Sequence, residues 1–295
     1  MAYADLHLHT VFSDGVVTPR EQVIAAAGNG VGVMAITDHD NTRGLDEAFV
    51  AAEKAGVKMI AGTEISTTWY GSTIHLAAYG FDRKNINLAA FLETNCEKRK
   101  QVFANKIEAL APGLVDEFIL FCGSFFNRHK AVDFLVDKGI SSDAETALNA
   151  LRTVKFEVDF SSPEEAIEMV HRAGGVVVLA HPFSPQRSLK PIDPSPAGQR
   201  KLVAELAAQK LDGLECYQAS HAPADIAYAL ELASDFGLMV SAGSDWHGPI
   251  SVLGEGVRRS IPFYVNNPGG LKTSLAAVAP FLERLGIAVD KTPRF

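Results

Sequence analysis

Two histidines near the start of the chain, His7 and His9, lie two residues apart in a run that predicts a β-strand. Side chains at positions i and i+2 of a strand project from the same face, about 7 Å apart, so both imidazoles can reach one metal ion. The pair alone leaves two interpretations open, a metal site and a chance spacing. The positions of the other histidines and carboxylates decide between them.

Six of the nine histidines and three carboxylates fall at or near the C-terminal ends of predicted strands. They are His7, His9, His39, His75, His181, His247, Asp14, Glu64 and Asp245. A single histidine at a strand end is more often a hydrogen-bonded polar residue than a ligand. Nine such groups on one rim would be costly to bury without cations, so the set predicts a metal centre. Nitrogen and oxygen ligands without thiolate suit manganese, zinc or iron better than calcium.

The elements that must position these residues alternate between short apolar runs and helix patterns. The predicted strands span residues 5–9, 33–37, 57–61, 73–79, 176–180, 211–216 and 238–242. Helix starts between them are marked by capping residues, as in Thr18-Pro19-Arg20-Glu21. Repeated strand-then-helix units favour parallel strands closed into a barrel, with the active site at the C-terminal ends of the strands.

Residues 87–155 interrupt this alternation with apolar residues spaced like helix faces. We expect a helical insertion there, capping the mouth of a barrel formed by residues 1–86 and 156–295. The insertion concentrates basic residues in a chain that is acidic overall. They include Lys98, Arg99, Lys100, Lys106, Arg128 and Lys130. Arginine can bind an anionic group with two parallel hydrogen bonds, so Arg99 and Arg128 are the preferred candidates for binding an anion, although a solvated basic face remains the alternative for each basic residue.

Composition excludes several classes of function. The 295 residues are 47% hydrophobic and 21% charged, as in an ordinary globular chain, and the net charge of −8 argues against binding duplex nucleic acid. No stretch reaches the 18 or so apolar residues of a membrane span, and the N-terminus has no signal-peptide pattern, so we place the protein in the cytoplasm. The three cysteines show no metal-site or disulfide spacing. No feature predicts an obligate protein partner.

The motifs that carry the candidate ligands resemble, in order and over nearly the whole chain, those of the PHP (polymerase and histidinol phosphatase) family. They are His7-Leu8-His9-Thr10, Ser13-Asp14-Gly15, Ile36-Thr37-Asp38-His39-Asp40, Gly62-Thr63-Glu64-Ile65-Ser66, Ile74-His75-Leu76, Leu179-Ala180-His181-Pro182 and Gly243-Ser244-Asp245-Trp246-His247-Gly248. The resemblance implies a distorted (β/α)7 TIM-like barrel, a centre of three divalent metal ions, most simply Mn2+ with Zn2+ or Fe2+ as alternatives, and phosphoesterase activity.

Residue by residue, the resemblance assigns His7, His9, Glu64 and Asp245 to one ion. Glu64 bridges to a second ion held by His75 and His181. Asp14, His39 and His247 hold the third. No ligand position is missing, which disfavours an inactive module of the same family.

Within the family, the insertion and the segment Phe126-Asn127-Arg128 resemble stand-alone phosphoesterases that act on nucleotides. This branch implies hydrolysis of nucleoside 3',5'-bisphosphates at the 3'-phosphate, and in some members trimming of short single-stranded RNA from the 5' end. The predicted substrate contacts are Arg99, Lys106, Arg128, Lys130 and His221. His221 resembles a phosphate-contacting histidine of the branch, with an ordinary loop residue as the alternative.

The chemistry follows from charge. Three divalent ions and the carboxylates of Asp14, Glu64 and Asp245 give a centre of about +3, suited to a phosphate monoester dianion. A water between two ions can be acidified from a pKa of 15.7 toward about 7, so we expect in-line attack of a bridging hydroxide on phosphorus. The predicted catalytic residues are Asp14, His39, Glu64, Asp245 and His247. Histidinol phosphate is the alternative substrate, and a metal-dependent amidohydrolase, which needs only one or two ions, is the alternative enzyme class.

Overall fold

The computed structural model describes residues 2–156, 158–184, 188–249 and 267–289. Its single sheet has seven strands in sequence order, each hydrogen-bonded to the next. They are β1 (Tyr3–Asp5), β2 (Val31–Ile36), β3 (Lys58–Trp69), β4 (Ser72–Tyr79), β5 (Val176–Leu179), β6 (Gly213–Gln218) and β7 (Met239–Gly243).

The first and last strands meet, so the sheet curls into a nearly closed barrel. The backbone N–H of Leu6 donates to the carbonyl of Ala242 at 2.9 Å, and Leu8 forms a parallel bridge to Trp246. The predicted distorted TIM-like barrel is therefore confirmed. The opening strand is shorter than the predicted 5–9, because regular pairing ends at Asp5.

The prediction of uniformly parallel strands is wrong at β4. This strand runs antiparallel to both β3 and β5, whereas the other neighbouring pairs are parallel. The reason is that β3 continues past residue 61 to Trp69 and turns tightly through Tyr70 and Gly71, whose φ angles are both positive. Two such residues make the kind of turn that joins hairpin strands.

The described residues also form ten α-helices, which pack against the strands or against one another. They are α1 (Pro19–Gly28), α2 (Leu45–Ala55), α3 (Ile86–Leu110), α4 (Val115–Cys122), α5 (Arg128–Asp137), α6 (Ala144–Thr153), α7 (Pro163–Arg172), α8 (Pro196–Ala208), α9 (Pro223–Phe236) and α10 (Ala279–Arg284). At the start of α1, Thr18 and Glu21 exchange hydrogen bonds with each other's backbone, as the sequence predicts. No helix in the described part of the chain is long and apolar enough to cross a membrane.

Apolar packing fills one end of the barrel and leaves the other polar. Leu6, Val33 and Val178 lie in the interior cluster, which continues onto Phe281 of α10. Phe281 packs edge-on against Tyr79, with ring centroids 5.2 Å apart, and the Tyr79 hydroxyl donates to the Leu6 carbonyl. Most of the candidate ligands lie at the other end of the barrel from this apolar cluster, where the strands β1, β2, β5 and β7 end.

Helices α3–α6, here called the helical segment, have a separate hydrophobic cluster. Ile107 of α3, Phe118 of α4 and Phe134 of α5 are fully buried in it, and the Phe118 and Phe134 rings contact each other at 5.2 Å. The segment therefore has a hydrophobic cluster of its own. Its division from the barrel at residues 87–155 stays a prediction.

Candidate metal centre

All nine predicted metal ligands converge on one site. His7 and His9 follow β1, His39 follows β2, His181 follows β5, and Asp245 and His247 follow β7, while Asp14 comes from the first loop. Glu64 and His75 instead lie within the paired lengths of β3 and β4, where the hairpin bends over the barrel end. Every one of these side chains is buried or nearly so.

Glu64 is the centre of the arrangement. Its Oε2 atom lies 3.3 Å from His7 Nε2 and 3.4 Å from His9 Nε2. The same oxygen lies 3.1 Å from His39 Nδ1. Its Oε1 atom lies 3.1 Å from His75 Nδ1 and 2.9 Å from His181 Nε2. One carboxylate thus contacts five imidazoles that come from four different parts of the chain.

The other two carboxylates lie on either side of Glu64. Asp245 Oδ1 is 3.1 Å from His9 Nε2 and 3.6 Å from His7 Nε2. Asp14 Oδ1 is 3.3 Å from His247 Nε2, and Asp14 Oδ2 is 3.6 Å from His39 Nε2. The ligand atoms form groups of three that could each hold a metal ion. Within each group, the three atoms lie within 4.8 Å of one another. These groups are His7/Glu64/His181, His7/His9/Asp245, His9/His39/Glu64 and His9/Asp14/His247.

The polar atoms that face the middle of the site fit a metal centre. His7 Nε2, His9 Nε2, His39 Nδ1 and Glu64 Oε2 are buried and form no hydrogen bond within the described residues. Buried polar atoms without partners are costly, so their clustering requires a compensating group. Nitrogen and carboxylate donors without sulfur match the divalent cations predicted from the sequence.

Electrostatics keep the three carboxylates ionised. Burial alone would raise the pKa of Glu64, but His39 and His7 outweigh it and hold that pKa well below its usual value. Asp14 behaves the same way, since His247 and His39 overcome the effect of burial on its pKa. The pKa of Asp245 is likewise held well below its usual value by His7 and His247 despite burial. The site therefore offers three negative charges to cations.

A buried carboxylate behind the site orients two of the histidines. Glu215 of β6 places Oε1 at 2.9 Å from His7 Nδ1, and its Oε2 accepts from the backbone N–H of His181 at 2.6 Å. Burial would lower the pKa of His7, but Glu215 and Glu64 raise it well above its ordinary value. Glu215 therefore fixes which nitrogen of His7 faces the centre.

Replacing Glu215 with glutamine should weaken metal binding about 10- to 100-fold, because an amide holds the His7 ring less firmly than a carboxylate. Titration of the metal-free protein with Mn2+ measures the dissociation constant. The control is Glu231→Gln, an exposed glutamate paired with Arg200 on the surface. Unchanged Mn2+ affinity in Glu215→Gln would remove Glu215 from this role.

Backbone geometry at the site is specialised. His181 and Asp245 have φ angles of 32° and 54°, in the left-handed region that few non-glycine residues adopt. Gly243, at the end of β7, has no room for a side chain. A Cβ added there would lie 2.1 Å from His7 Cβ and 2.5 Å from Glu215 Oε1. Glycine at this position therefore permits the close approach of His7 to its supporting carboxylate.

The variant Gly243→Ala should be destabilised by about 1–3 kcal/mol, since the added methyl group forces backbone or His7 to move. Urea denaturation measures the loss. The matched control is Gly28→Ala in α1, where nothing lies within 4 Å of the added Cβ and stability should be unchanged or higher. Equal stability of the two variants would contradict the packing argument.

A cavity of about 350 Å³ opens beside the candidate centre, between the barrel and the helical segment. Asp14 and His39 line it on the barrel side. Its basic lining residues are Arg99, Lys106, Arg128 and Arg152, and its aromatic lining residues are Phe103, Phe125 and Phe156. A cavity with this lining favours an anionic ligand that also carries a flat apolar group.

The predicted substrate contacts differ in their surroundings. Arg99, Arg128 and Lys106 line the cavity, but Lys106 Nζ donates to the carbonyl of Val154 at 2.9 Å and so also ties α3 to the end of α6. Lys130 Nζ donates to the carbonyl of Cys122 at 2.7 Å, at the end of α4. These lysines have backbone partners that their spacing in the sequence does not reveal.

His221 has both ring nitrogens next to backbone atoms. Its Nδ1 lies 3.0 Å from the carbonyl of Cys216, and its Nε2 accepts from the N–H of Phe183 at 3.2 Å. Burial lowers its pKa. His221 thus links the loops that follow β5 and β6, and its contact with phosphate stays a prediction.

Two cavity residues, Arg152 and Phe125, had no role predicted from the sequence. Phe125 stacks on the His39 ring with centroids 5.8 Å apart and planes 5° from parallel. Asn127 and His129, which flank the predicted Arg128, also line the cavity. The sequence gives no signal that Phe125 lines a cavity, because an apolar residue between helices is usually part of a hydrophobic core.

The chain is similar in sequence to a known protein family and to proteins of known activity. A model of the PHP domain matches residues 5–139. A 5'-3' exoribonuclease from Haemophilus influenzae is 32% identical over 253 residues, covering 83% of this chain and 90% of the relative. A 3',5'-nucleoside bisphosphate phosphatase from Chromobacterium violaceum is 32% identical over 268 residues, covering 88% of this chain and 90% of the relative.

Two solved structures have the same architecture. A candidate metal-dependent phosphoesterase from Bifidobacterium adolescentis superposes with a TM-score of 0.76 at 30% identity, covering 98% of both chains. A protein from Chromobacterium violaceum described as an amidohydrolase, with bound sulfate and no metal, gives a TM-score of 0.71 at 30% identity, covering 86% of this chain and 90% of the other.

Proposed function

The chain belongs to the PHP domain family and is a metal-dependent hydrolase of phosphoric esters, and we propose that it removes the 3'-phosphate from nucleoside 3',5'-bisphosphates. The observation that carries the choice of substrate is the basic and aromatic cavity that adjoins Asp14 and His39. Such a cavity can hold a second phosphate and a base while the reacting phosphate lies at the centre.

We propose three divalent cations at the centre, with Mn2+ the preferred ion and Zn2+ or Fe2+ as alternatives. Asp245 near His7 and His9 supports one ion, and Glu64 near His75 and His181 supports a second. Asp14 near His39 and His247 supports the third. When bound, such ions supply Lewis acidity and an acidified water at neutral pH.

The chain's own residues bind and orient the substrate in this proposal. Arg99 and Arg128 bind the non-reacting 5'-phosphate, because a guanidinium suits the planar arrangement of phosphate oxygens. Phe103 and Phe156 line the same cavity and offer apolar surface to the base. The helical segment excludes water from the bound nucleotide by covering the barrel end.

The related proteins and the basic residues that line the cavity distinguish between the alternative substrates. The exoribonuclease relative supports a short 5'-phosphorylated RNA as a second substrate, since RNA presents phosphates to the same basic residues. Histidinol phosphate carries an ammonium group, which Arg99, Arg128 and Arg152 would repel. The nucleotide is therefore the better match to the cavity.

A substrate panel tests the proposal. The protein with Mn2+ should release phosphate from adenosine 3',5'-bisphosphate with a higher kcat/KM than from histidinol phosphate. The panel also contains a mononucleotide, a short 5'-phosphorylated RNA and an amide substrate. Preference for histidinol phosphate would overturn the substrate assignment, and hydrolysis of the amide alone would overturn the enzyme class.

A further inference from the structure

Asp40 lies next to His39 but is not one of the nine candidate ligands. Its side chain is fully buried and its φ angle is 52°. The carboxylate faces the helical segment, where Oδ1 accepts from Asn95 Nδ2 at 3.0 Å and Oδ2 accepts from Arg99 Nη2 at 2.6 Å. Oδ1 also accepts from the backbone N–H of Ser66 in β3 at 2.9 Å.

Arg99 is held on several sides by this arrangement. Its Nη2 also donates to Ser66 Oγ at 2.6 Å. The guanidinium carbon lies 5.0 Å from the centroid of Phe125 and 4.9 Å from that of Phe160, so the guanidinium contacts two aromatic rings. Phe125 in turn stacks on His39.

At least one N–H donor of Arg99 is not used in these contacts. Its Nε atom is buried and has no hydrogen-bond partner among the described residues, although Arg99 lines the cavity beside the centre. A buried guanidinium donor without a partner is costly unless an acceptor arrives with the ligand. The oxygens of a phosphate are acceptors that match an arginine held in a fixed pose.

We propose that Asp40 is a positioning residue, which holds Arg99 in the pose that binds the second phosphate of the substrate and so sets the specificity for bisphosphates. This inference rests on the proposed function, because it assigns the phosphate that does not react. Asp40 acts through Arg99 and does not touch the substrate. Since Asp40 also follows His39 directly, it fixes the distance between this phosphate site and the metal centre.

The variant Asp40→Asn isolates this role. Asparagine tolerates a positive φ and keeps one oxygen for Ser66 and Asn95, but it presents an amide NH2 to Arg99 in place of an acceptor. For adenosine 3',5'-bisphosphate, KM should rise at least about tenfold while kcat stays within about threefold, as expected when one charged hydrogen bond in binding is lost. For adenosine 3'-monophosphate, which lacks the second phosphate, KM should change less than about twofold.

Asp46→Asn is the matched control, because Asp46 forms an aspartate–arginine pair with Arg83 on the exposed surface. Both kinetic constants should match the wild type in this variant. If Asp40→Asn does not fold, Ser66→Ala takes its place, since it removes only the second acceptor of Arg99 Nη2. A smaller rise in KM, about threefold and restricted to the bisphosphate, is then expected.

The two substrates keep the inference separate from the proposed function. If the wild type hydrolyses neither substrate, the proposed function fails, and calorimetric binding of adenosine 5'-monophosphate to wild type and Asp40→Asn decides about Asp40. Weaker binding in the variant by about tenfold supports the inference. Equal changes in KM for both substrates, or equal affinity in the calorimeter, would overturn it.

Discussion

Replacing Glu64 with glutamine should lower kcat for phosphate release by at least about a thousandfold, the effect of losing several kcal/mol of metal-based stabilisation. Glu64 contacts five imidazoles through its two oxygens, at 2.9–3.4 Å. In the proposed centre Glu64 would be a ligand shared by two cations. Glutamine has nearly the same volume, so the packing stays, but it lacks the charge and one of the two acceptor oxygens.

Metal analysis of the purified protein accompanies the kinetics for this variant. Glu64→Gln should bind fewer than the three cations proposed for the wild type, because a bridging ligand contributes to two sites. Glu168→Gln on the exposed surface of α7 serves as the control and should match the wild type in both measurements. Full metal content together with wild-type kcat in Glu64→Gln would show that the residue is no ligand.

Replacing Asp14 with alanine should have the second-largest effect, a loss of at least about a hundredfold in kcat. Asp14 is the only one of the three carboxylates that comes from the first loop, and it contacts His247 and His39. In the proposed centre it holds the third ion, which distinguishes a phosphoesterase from an enzyme with one or two ions. The variant should lose about one metal equivalent per chain.

The fold should survive this change, since Asp14 lies in a loop outside the barrel core. Thermal unfolding of Asp14→Ala should remain cooperative. The control Asp137→Ala removes an exposed carboxylate at the end of α5 and should leave activity intact. Retention of all bound metal by Asp14→Ala would argue for a centre with fewer ions than proposed.

Much of the fold could be predicted from local sequence patterns. The apolar run 176–180 and the capping residues around Thr18 depend on neighbours in the chain, and they mark real elements. The direction of β4 depends instead on a turn between Tyr70 and Gly71 that has no asparagine or aspartate to identify it. A tyrosine with positive φ is rare enough that the hairpin was not expected.

The candidate ligands were recognisable because metal chemistry restricts ligands to a few residue types, here histidine and carboxylate, and most of these residues follow a strand. The residues that support the candidate ligands and the cavity are not restricted to particular residue types. Gly243 is needed because His7 and Glu215 converge on it, and Asp40 meets Arg99 across 59 positions of sequence. The first contact depends on how β6 and β7 meet the start of the chain in the sheet, and the second depends on how the helical segment packs on the barrel. Packing within the helical segment gives Lys106 and Lys130 backbone partners that a charge pattern cannot reveal.

The measurement that tests the central claim most directly is phosphate release from adenosine 3',5'-bisphosphate by chelator-treated protein, followed as Mn2+ is added back. We expect no release without metal, and release that rises until about three equivalents per chain are bound, with the phosphate coming from the 3' position. Release that persists after complete removal of metal would contradict it.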